Sequence, residues 1–472
     1  MKTIVSSMRY HYIARVSIFL ITLALIAGIV GCGPVKYTLT ISSTAGGNVT
    51  TPGVGTHTYD AGTVVNLVAT PASGYRFVNW TGDVGTIANV NAASTTITIN
   101  DDYEITANFD EEEVVTFPDP NLEAAIREAI GKPSGDIYQS DLEGLISLTA
   151  RERNIADLTG LEYCTSLAYL DLCGNQISDV SPLANLTSLT HLCLFANNIS
   201  DVLPLANLTN LTSLYLWGNQ ISDVSPLASL TKLTELYLLY NYISDISPLT
   251  NLTSLTYLYL SSNQISDISP LTNLTNLTGL SLGHNPTSDI SPLASLTKLK
   301  YLSLGGNQIT DAELSHLVNL IIANLTSLTE LELADNPISD ISPLASLTKL
   351  TWLFFAGSQI SDISPLANLT SLTTLGLHQN QISDISPLAN LINLTTLYLS
   401  DNQISNISPL VSLPKLIWLQ LNSNQISDIA PLVTNPGLGE GDQVELMNNP
   451  LSSESINIYI PELEARGVTV SY

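Results

Sequence analysis

Apolar residues recur along most of this 472-residue chain with a period of 22 residues. Pro-Leu pairs mark the period, with the proline at 182, 204, 226, 248, 270 and 292 and again at 343, 365, 387, 409 and 431. The interval from 292 to 343 is 51 residues, so one repeat near residues 307–333 is seven residues longer than the others. This regularity predicts a stack of coils in which each coil completes the core of its neighbour.

Each position of the repeat has its own physical task. In one central repeat, Leu258 and Leu260 alternate along a predicted short strand and point into the core. Asn263 ends that strand, and its amide can bond backbone groups of neighbouring coils, which predicts a ladder of stacked asparagines. One repeat carries Ser358 in place of the ladder asparagine, and we expect a local weak point there.

The period identifies the fold class, because 22 residues lies in the range of leucine-rich repeats. Pattern and period resemble the internalin-type leucine-rich repeats over roughly residues 117–472. The resemblance implies an α/β solenoid, a leucine-rich repeat horseshoe with short parallel strands on the concave face and 3-10 or helical turns on the convex face. It also implies a helical N-terminal cap at 117–145, repeats at 146–452 and a C-terminal cap at 453–472.

Two helices are predicted within this region. The first begins after Asp119 and stops at Gly131. The longer repeat is expected to place a second helix on the convex side, around residues 311–317. The apolar side of the first helix is predicted to comprise Leu122, Ala125, Ile126 and Ala129.

Residues 32–109 are rich in Thr, Val, Ile, Gly and Asn and predict a small β-rich module before the repeats. Segments 74–83 and 103–109 resemble the internalin B-repeat-like module of bacterial surface proteins, which implies a spacer. Trp80 and Phe77 are expected in its core. Strands are predicted at residues 37–41, 64–69, 75–80, 95–99 and 105–109.

Residues 1–31 have the features of a secretory signal: a basic flank, then an apolar run at 16–30. That run is shorter than the roughly 20 residues that span a bilayer. It leads into Cys32, and the sequence there resembles a bacterial lipobox, which implies cleavage before Cys32 and lipidation of its thiol. The alternative is an uncleaved membrane anchor. We therefore expect a lipid-anchored protein of the bacterial cell envelope, surface-exposed or facing the periplasm.

The formal net charge is −27, from 42 acidic and 15 basic residues. Removal of residues 1–31, which carry three basic residues and no acids, would leave −30. This balance argues against nucleic-acid binding and against a basic patch on anionic lipid. Residues 110–116 are predicted to form an acidic, solvated linker.

One repeat position supplies a large share of the acids. Stacked carboxylates there could bind calcium, but we favour turn-forming residues that satisfy local amides. Ser269, two residues after one of these aspartates, is expected to cap a helical turn that begins at Pro270. The position is occupied by Asp179, Asp201, Asp223, Asp245, Asp267, Asp289, Asp311, Asp340, Asp362, Asp384 and Asp428, with Asn406 as the exception.

Strand residues that alternate with the inward leucines are predicted to face the concave side. Exposed Trp and Tyr are typical binding anchors, although aromatic residues also favour strands for other reasons. Gly279, Ser281, Gly283, Ser303 and Gly305 predict a shallow gap between two aromatic clusters. The predicted partner-binding residues are His191, Phe195, Tyr215, Trp217, Tyr237, Tyr257, Tyr259, Tyr301, Trp352, Phe354, Tyr398 and Trp418.

A second cluster comprises Asp171, Cys173, His191 and Cys193, whose residue types can all ligate zinc. A flat sheet holds such short side chains parallel, so we favour ordinary surface positions and predict no metal site. The two cysteines are expected diagonally across adjacent strands, about 7–8 Å apart at Cα, which is slightly long for a disulfide. Cys164 is expected to be a buried thiol.

These observations together predict a binding protein rather than an enzyme, with no cofactor. The five histidines after residue 31 lie in no catalytic motif. The internalin resemblance implies adhesion or interaction with a protein partner, in addition to the membrane contact through the lipid. The alternatives are a glycan ligand, because aromatic platforms also stack sugars, and a passive envelope spacer.

Overall fold

A computed structural model of the chain describes residues 34–472, and the predicted signal peptide at 1–31 and lipidation site Cys32 lie outside the described residues. None of the helices within residues 34–472 has the length and hydropathy that a membrane-spanning helix needs. The described residues divide into two compact units. The first runs to Val115 and includes Asp136–Ser140, and the second comprises Thr116–Gly135 and Asp141–Tyr472.

The first unit contains two small sheets that share one apolar core, with strand orders β3-β1-β7-β5 and β2-β4-β6. Trp80 is 1 % exposed and Phe77 packs against the same core, as predicted. A short antiparallel pair, β8-β9, completes the unit. The strands are β1 Lys36–Ser43, β2 Gly47–Thr51, β3 Gly55–Asp60, β4 Thr63–Pro71, β5 Tyr75–Gly82, β6 Ser94–Ile99, β7 Tyr103–Glu111, β8 Val114–Val115 and β9 Ile137–Tyr138.

All five predicted strands of this unit are present, and four more were missed, namely β2, β3 and the two-residue strands β8 and β9. Strands β2 and β3 bury few side chains, and Val49 is the one buried residue between them, so they carry no apolar alternation to detect. The predicted linker at 110–116 is partly strand, because β5 pairs along β7 as far as Glu111 and β8 follows.

The second unit begins with the predicted cap helix, α1 (Pro120–Ile130). The Asp119 carboxylate accepts hydrogen bonds from two backbone amides of the first turn at 2.9 and 3.1 Å. Gly131 ends the helix at φ 69°, a left-handed conformation that suits glycine. Ala129 was predicted on the buried side but is exposed, so the buried stripe of Leu122, Ala125 and Ile126 ends one turn before the helix does.

The repeats form one 15-stranded sheet whose strands pair in parallel and in chain order from β10 to β24. The central strands have three residues each, and leucine lies opposite leucine, as Leu236 does opposite Leu258. These leucines are fully buried, so the two flanking residues of each strand face the other side of the sheet. The strands are β10 Ser147–Thr149, β11 Tyr169–Asp171, β12 His191–Cys193, β13 Ser213–Tyr215, β14 Glu235–Tyr237, β15 Tyr257–Tyr259, β16 Gly279–Ser281, β17 Tyr301–Ser303, β18 Glu330–Glu332, β19 Trp352–Phe354, β20 Thr374–Gly376, β21 Thr396–Tyr398, β22 Trp418–Gln420, β23 Gln443–Glu445 and β24 Thr469–Ser471.

Short helical segments connect the strands, mostly as 3-10 turns. The longer repeat holds a full α-helix of 13 residues, as predicted. The α-helices after α1 are α2 Gln139–Leu142, α3 Asp311–Ala323, α4 Ala430–Thr434 and α5 Ile460–Ala465, the last preceded by a π-helical turn at Ser455–Tyr459. The 3-10 turns are Leu161–Tyr163, Ser181–Leu183, Leu203–Asn207, Ser225–Ser229, Ser247–Asn251, Ser269–Asn273, Ser291–Ser295, Ser342–Ser346, Ser364–Asn368, Ser386–Asn390 and Ser408–Ser412.

The repeated aspartate, and not the serine after it, is the acceptor that starts most of these turns. The Ser269 amide and hydroxyl both donate to the Asp267 carboxylate, at 2.8 and 3.0 Å. The prediction that Ser269 caps the turn was therefore wrong, whereas the turn-forming role of the aspartate is confirmed. The serine amides lower the pKa of the equivalent carboxyls of Asp223, Asp245 and Asp362. Asp311 differs, because it accepts from amides of the next coil.

The predicted asparagine ladder runs along the repeats. Asn263 donates to two backbone carbonyls at 2.9 Å and accepts from Ile243 N at 2.9 Å. At Ser358 these bonds are missing: its hydroxyl is buried without a hydrogen-bond partner, and Ile338 N bonds Asn336 O instead. The lower stability expected at this repeat stays a prediction.

Candidate binding face

The solvent side of the parallel sheet presents the strand residues that flank the buried leucines and the residue two positions after each strand. All twelve predicted partner-binding residues lie on this side. Tyr257 and Trp418 are 40 % and 37 % exposed, and the other ten are half-buried. We call this surface the aromatic face.

Rings on the aromatic face contact one another from strand to strand. Tyr215, Tyr237 and Tyr259 stack with centroids 4.7 Å apart and interplanar angles of 21° and 27°. Phe195 and Trp217 form a separate stacked pair at 4.3 Å. In-register residues of adjacent strands lie about 4.8 Å apart, so the repeat itself imposes this stacking. The continuous series, here called the ring ladder, comprises Tyr169, His191, Tyr215, Tyr237, Tyr259, Tyr301, Trp352, Phe354 and Tyr398.

The predicted gap between two aromatic clusters is wrong, because the ladder crosses it. Tyr259 and Tyr301 approach to 6.1 Å between centroids across β16, whose own residues are small. The long side chains lean over the strand that lacks rings. Gly279, one of the small residues of the predicted gap, leaves room for the neighbouring Tyr257 ring. The ladder extends without interruption from β11 to β21, on the order of 50 Å.

An open depression of about 420 Å³ lies at the start of the aromatic face. The Asp171 carboxylate is 1 % exposed and forms a salt bridge with Arg151, whose side chain is 52 % exposed. Tyr169 stacks on His191 at 4.5 Å and donates from its hydroxyl to Asp171 at 3.3 Å. The depression is lined by Arg151, Tyr169, His191, Cys193, Phe195, Tyr215, Trp217 and Tyr237.

Cys173 and Cys193 form a disulfide with a Cα separation of 5.7 Å, so the expectation that they lie too far apart was wrong. The parallel backbone ladder continues beyond the three-residue strand, with Leu172 N donating to Cys193 O at 2.9 Å, and this draws Cys173 alongside. Asp171, Cys173 and Cys193 group their ligand atoms within 4.8 Å. The disulfide and the salt bridge of Asp171 occupy the groups that a metal would need. Cys164 is buried as predicted, and burial raises the pKa of its thiol to about 12.

Burial, with glutamates beside the rings as a further cause, raises the pKa of three phenols on the aromatic face. The Tyr215 hydroxyl donates to Glu235 at 2.6 Å, and burial together with this bond raises the pKa of Tyr215. Burial first, then the neighbouring Tyr259 and Glu235, raises the pKa of Tyr237 to about 12. Burial and Glu332 likewise raise the pKa of Tyr301. These hydroxyls are therefore hydrogen-bond donors at any physiological pH.

Two histidines on the face are held neutral. Burial lowers the pKa of His191 more than the nearby carboxylates raise it. Burial also lowers the pKa of His378, whose Nδ1 is buried without a hydrogen-bond partner. Burial thus favours the neutral form of both rings.

The residue list drawn from the sequence omitted Tyr169, Glu235 and His378, which contact the ring ladder. The 22-residue register itself would have found them. Tyr169 lies opposite His191 and Glu235 lies opposite Tyr257. Trp418, which was on that list, lies on β22, one strand beyond the last ring of the ladder.

Two family profiles match the chain. The family described as "Divergent InlB B-repeat domain" matches residues 37–113, which confirms the predicted module. The family described as "Leucine Rich repeats (2 copies)" matches nine segments between residues 165 and 438, of which the first seven overlap in series. No curated protein matches the chain significantly.

Solved structures show the same likeness. An internalin, InlF, from Listeria monocytogenes is 43 % identical over 71 % of this chain and 95 % of that chain, with a TM-score of 0.59. A leucine-rich repeat protein from Leptospira interrogans is 23 % identical over 71 % of this chain and 97 % of that chain, with a TM-score of 0.54, and shows the fold alone. Internalin-like leucine-rich repeats are a non-enzymatic interaction fold typical of bacterial surface proteins. The chain belongs to the internalin-type family of leucine-rich repeat proteins.

Proposed function

We propose that this chain is a lipid-anchored protein of the bacterial cell envelope whose aromatic face binds a protein partner. The ring ladder is the observation that carries the proposal. Its rings lie outside the leucine core, which is complete without them. Rigid Tyr and Trp side chains supply contact area at low entropic cost and dominate the energetics of protein interfaces.

The stacking geometry favours a protein ligand over a glycan. A sugar stacks on the face of an aromatic ring, but the faces of Tyr237 are covered by Tyr215 and Tyr259. With its faces covered, Tyr237 offers a ligand its ring edge and its hydroxyl instead. Edges and donors of this kind suit the irregular polar and apolar surface of a protein.

The anchor and the spacer complete the proposal. Cys32 would carry the lipid, because the preceding sequence has the lipobox pattern. The divergent B-repeat domain lies between Cys32 and the repeats in the sequence, and we take it as a spacer. Replacement Cys32→Ser should release the protein from the membrane fraction, whereas Cys164→Ser should not.

The test of the binding role is capture of the full chain on target cells before and after Trp217→Ala/Tyr237→Ala/Tyr259→Ala. We expect this variant to lose binding while its unfolding transition is retained. The matched control, Tyr163→Ala/Tyr459→Ala/Tyr472→Ala, removes as many rings from outside the aromatic face and should bind normally. Protease treatment of the target should abolish binding and glycosidase treatment should not. Undiminished binding by the first variant would contradict the proposal and favour a passive spacer.

A further inference from the structure

The aromatic face carries negative charge and lacks cations over most of its length. Strands β12 to β23 contain four glutamates and no Lys or Arg. Arg151, before these strands, is committed to Asp171. Within residues 34–472, no salt bridge reaches any of the four glutamates. These glutamates are Glu235, Glu330, Glu332 and Glu445.

Three of these carboxylates are half-buried beside rings. Glu235 accepts from the Tyr215 hydroxyl at 2.6 Å, and Glu332 accepts from the Tyr301 hydroxyl at 3.4 Å. Glu330 begins the same strand as Glu332. Glu445 differs, because the side-chain amides of Gln420 and Asn422 already donate to it.

A half-buried carboxylate has lost part of its hydration, and a hydrogen bond from one hydroxyl compensates only partly for the lost water. A guanidinium or ammonium group supplies both charge and donors, and adjacent aromatic rings add cation–π attraction. The face is therefore complementary to a cationic surface.

The spacing of the carboxylates indicates the size of the ligand. Glu235 lies on β14 and Glu330 with Glu332 on β18, four strand-to-strand steps away, or about 19 Å. A single small cation cannot contact both sites. An extended peptide of about six residues spans that distance.

We propose that the partner presents a basic protein segment, with Arg or Lys side chains that contact Glu235 at one end and the Glu330–Glu332 pair at the other. This inference rests on the proposed protein-binding function and specifies its partner. The rings between the two carboxylate sites, Tyr257, Tyr259 and Tyr301, would contact the middle of the segment.

The test selects a random-peptide phage library on the full chain in detergent. The first readout is the ratio of Arg plus Lys to Asp plus Glu in the selected pool relative to the starting library. The second is the affinity of selected peptides for Glu235→Gln/Glu330→Gln/Glu332→Gln. The matched control, Glu143→Gln/Glu462→Gln/Glu464→Gln, removes the same charge from exposed positions outside the aromatic face.

We expect the ratio to rise several-fold and the first variant to bind about tenfold more weakly, which corresponds to about 1.4 kcal/mol shared by three ion pairs. The control variant should bind like the unmodified chain. A pool without basic enrichment, or equal binding to both variants, overturns the inference. If the selected peptides nevertheless fail to bind Trp217→Ala/Tyr237→Ala/Tyr259→Ala, the protein-binding function stands and only the basic partner is rejected. If the selected peptides bind this variant as well as the unmodified chain, the basic partner and the protein-binding function are both rejected.

Discussion

Gly279 lies directly opposite Tyr257 in the adjacent strand, and a Cβ at Gly279 would come within 2.7 Å of the Tyr257 ring. The Tyr257 ring thus occupies the space that a side chain at Gly279 would fill. The same relationship recurs at Gly376, where a Cβ would lie 2.4 Å from the Phe354 ring. Glycines on the solvent side of the sheet therefore shape the aromatic face rather than interrupt it.

Replacement Gly279→Ala should displace the Tyr257 ring and disturb the ladder between Tyr259 and Tyr301. Tyr257 is 40 % exposed, so it can move away, and the free energy of unfolding should change by less than about 0.5 kcal/mol. We expect partner affinity to fall about fivefold, or about 1 kcal/mol. Gly144→Ala, which adds a methyl group to open space, is the control. Equal affinity of the two variants in a titration would contradict this role of Gly279.

Replacement Ser358→Asn should restore the missing step of the asparagine ladder. The new amide can accept from Ile338 N and donate to Leu333 O and Phe355 O, each of which now has one side-chain amide donor, from Asn336 and Asn380 respectively. Each net hydrogen bond contributes about 0.5–1.5 kcal/mol, so we expect the free energy of unfolding in urea to rise by about 1–2 kcal/mol.

The reverse change at the next repeat is the control for that prediction. Asn380 donates to Phe355 O at 2.7 Å and accepts from Ile360 N at 3.0 Å. Asn380→Ser should lower the free energy of unfolding by about 1–3 kcal/mol. An unchanged stability of both variants would show that the ladder bonds make no net contribution.

The solenoid could be predicted because every repeat shows the same 22-residue period. The buried leucines, the ladder asparagines and the helix of the longer repeat followed from that period. Strands β2 and β3 could not, since they bury almost nothing. Twelve residues of the aromatic face were predicted, but Tyr169, Glu235 and His378 were not, and neither was the continuity of the ring ladder. Register places Gly279 opposite Tyr257, yet only side-chain length and direction show that the ring fills the space. The disulfide was missed because the ladder continues past the strand end.

Stability should fall as the pH drops from 7.5 to 5.5. Burial lowers the pKa of His191 and His378 below the ordinary 6.5, so the unfolded chain binds protons before the folded chain does. The contribution of these two histidines to the free energy of unfolding is complete above about pH 6.5. It is lost as the pH falls toward their lowered pKa values. Carboxyls such as that of Asp223, whose pKa is lowered from 3.8, change the free energy of unfolding only in more acidic solution.

The measurement for this prediction is the free energy of unfolding across that pH range. The variant His191→Gln/His378→Gln should show a flatter dependence on pH than the unmodified chain. His284→Gln, at a histidine that is well exposed, is the control and should leave the slope unchanged. A slope that persists in the double variant would exclude these two histidines as its source.

Reduction of the disulfide should destabilise the start of the repeats. Cys173 and Cys193 are 20 residues apart in sequence, and closing such a loop stabilises a fold by about 3 kcal/mol. We expect Cys173→Ser/Cys193→Ser to lower the free energy of unfolding by about that amount. Cys164→Ser opens no disulfide loop, because that buried thiol is unpaired, so this loss is not expected from it. Alkylation in denaturant without reductant should label Cys164 but neither disulfide cysteine. Labelling of all three would contradict the pairing.

Binding of a protein partner to the aromatic face can be detected by site-specific photocrosslinking on target cells. A benzoylphenylalanine replaces Tyr237 or Tyr257 on the face, or Tyr163 outside it. We expect a covalent protein adduct of one defined mass from both face positions and none from Tyr163. Adducts from Tyr163 alone, or no protein adduct from either face position while the chain still binds the cells, would contradict binding of the partner at the aromatic face.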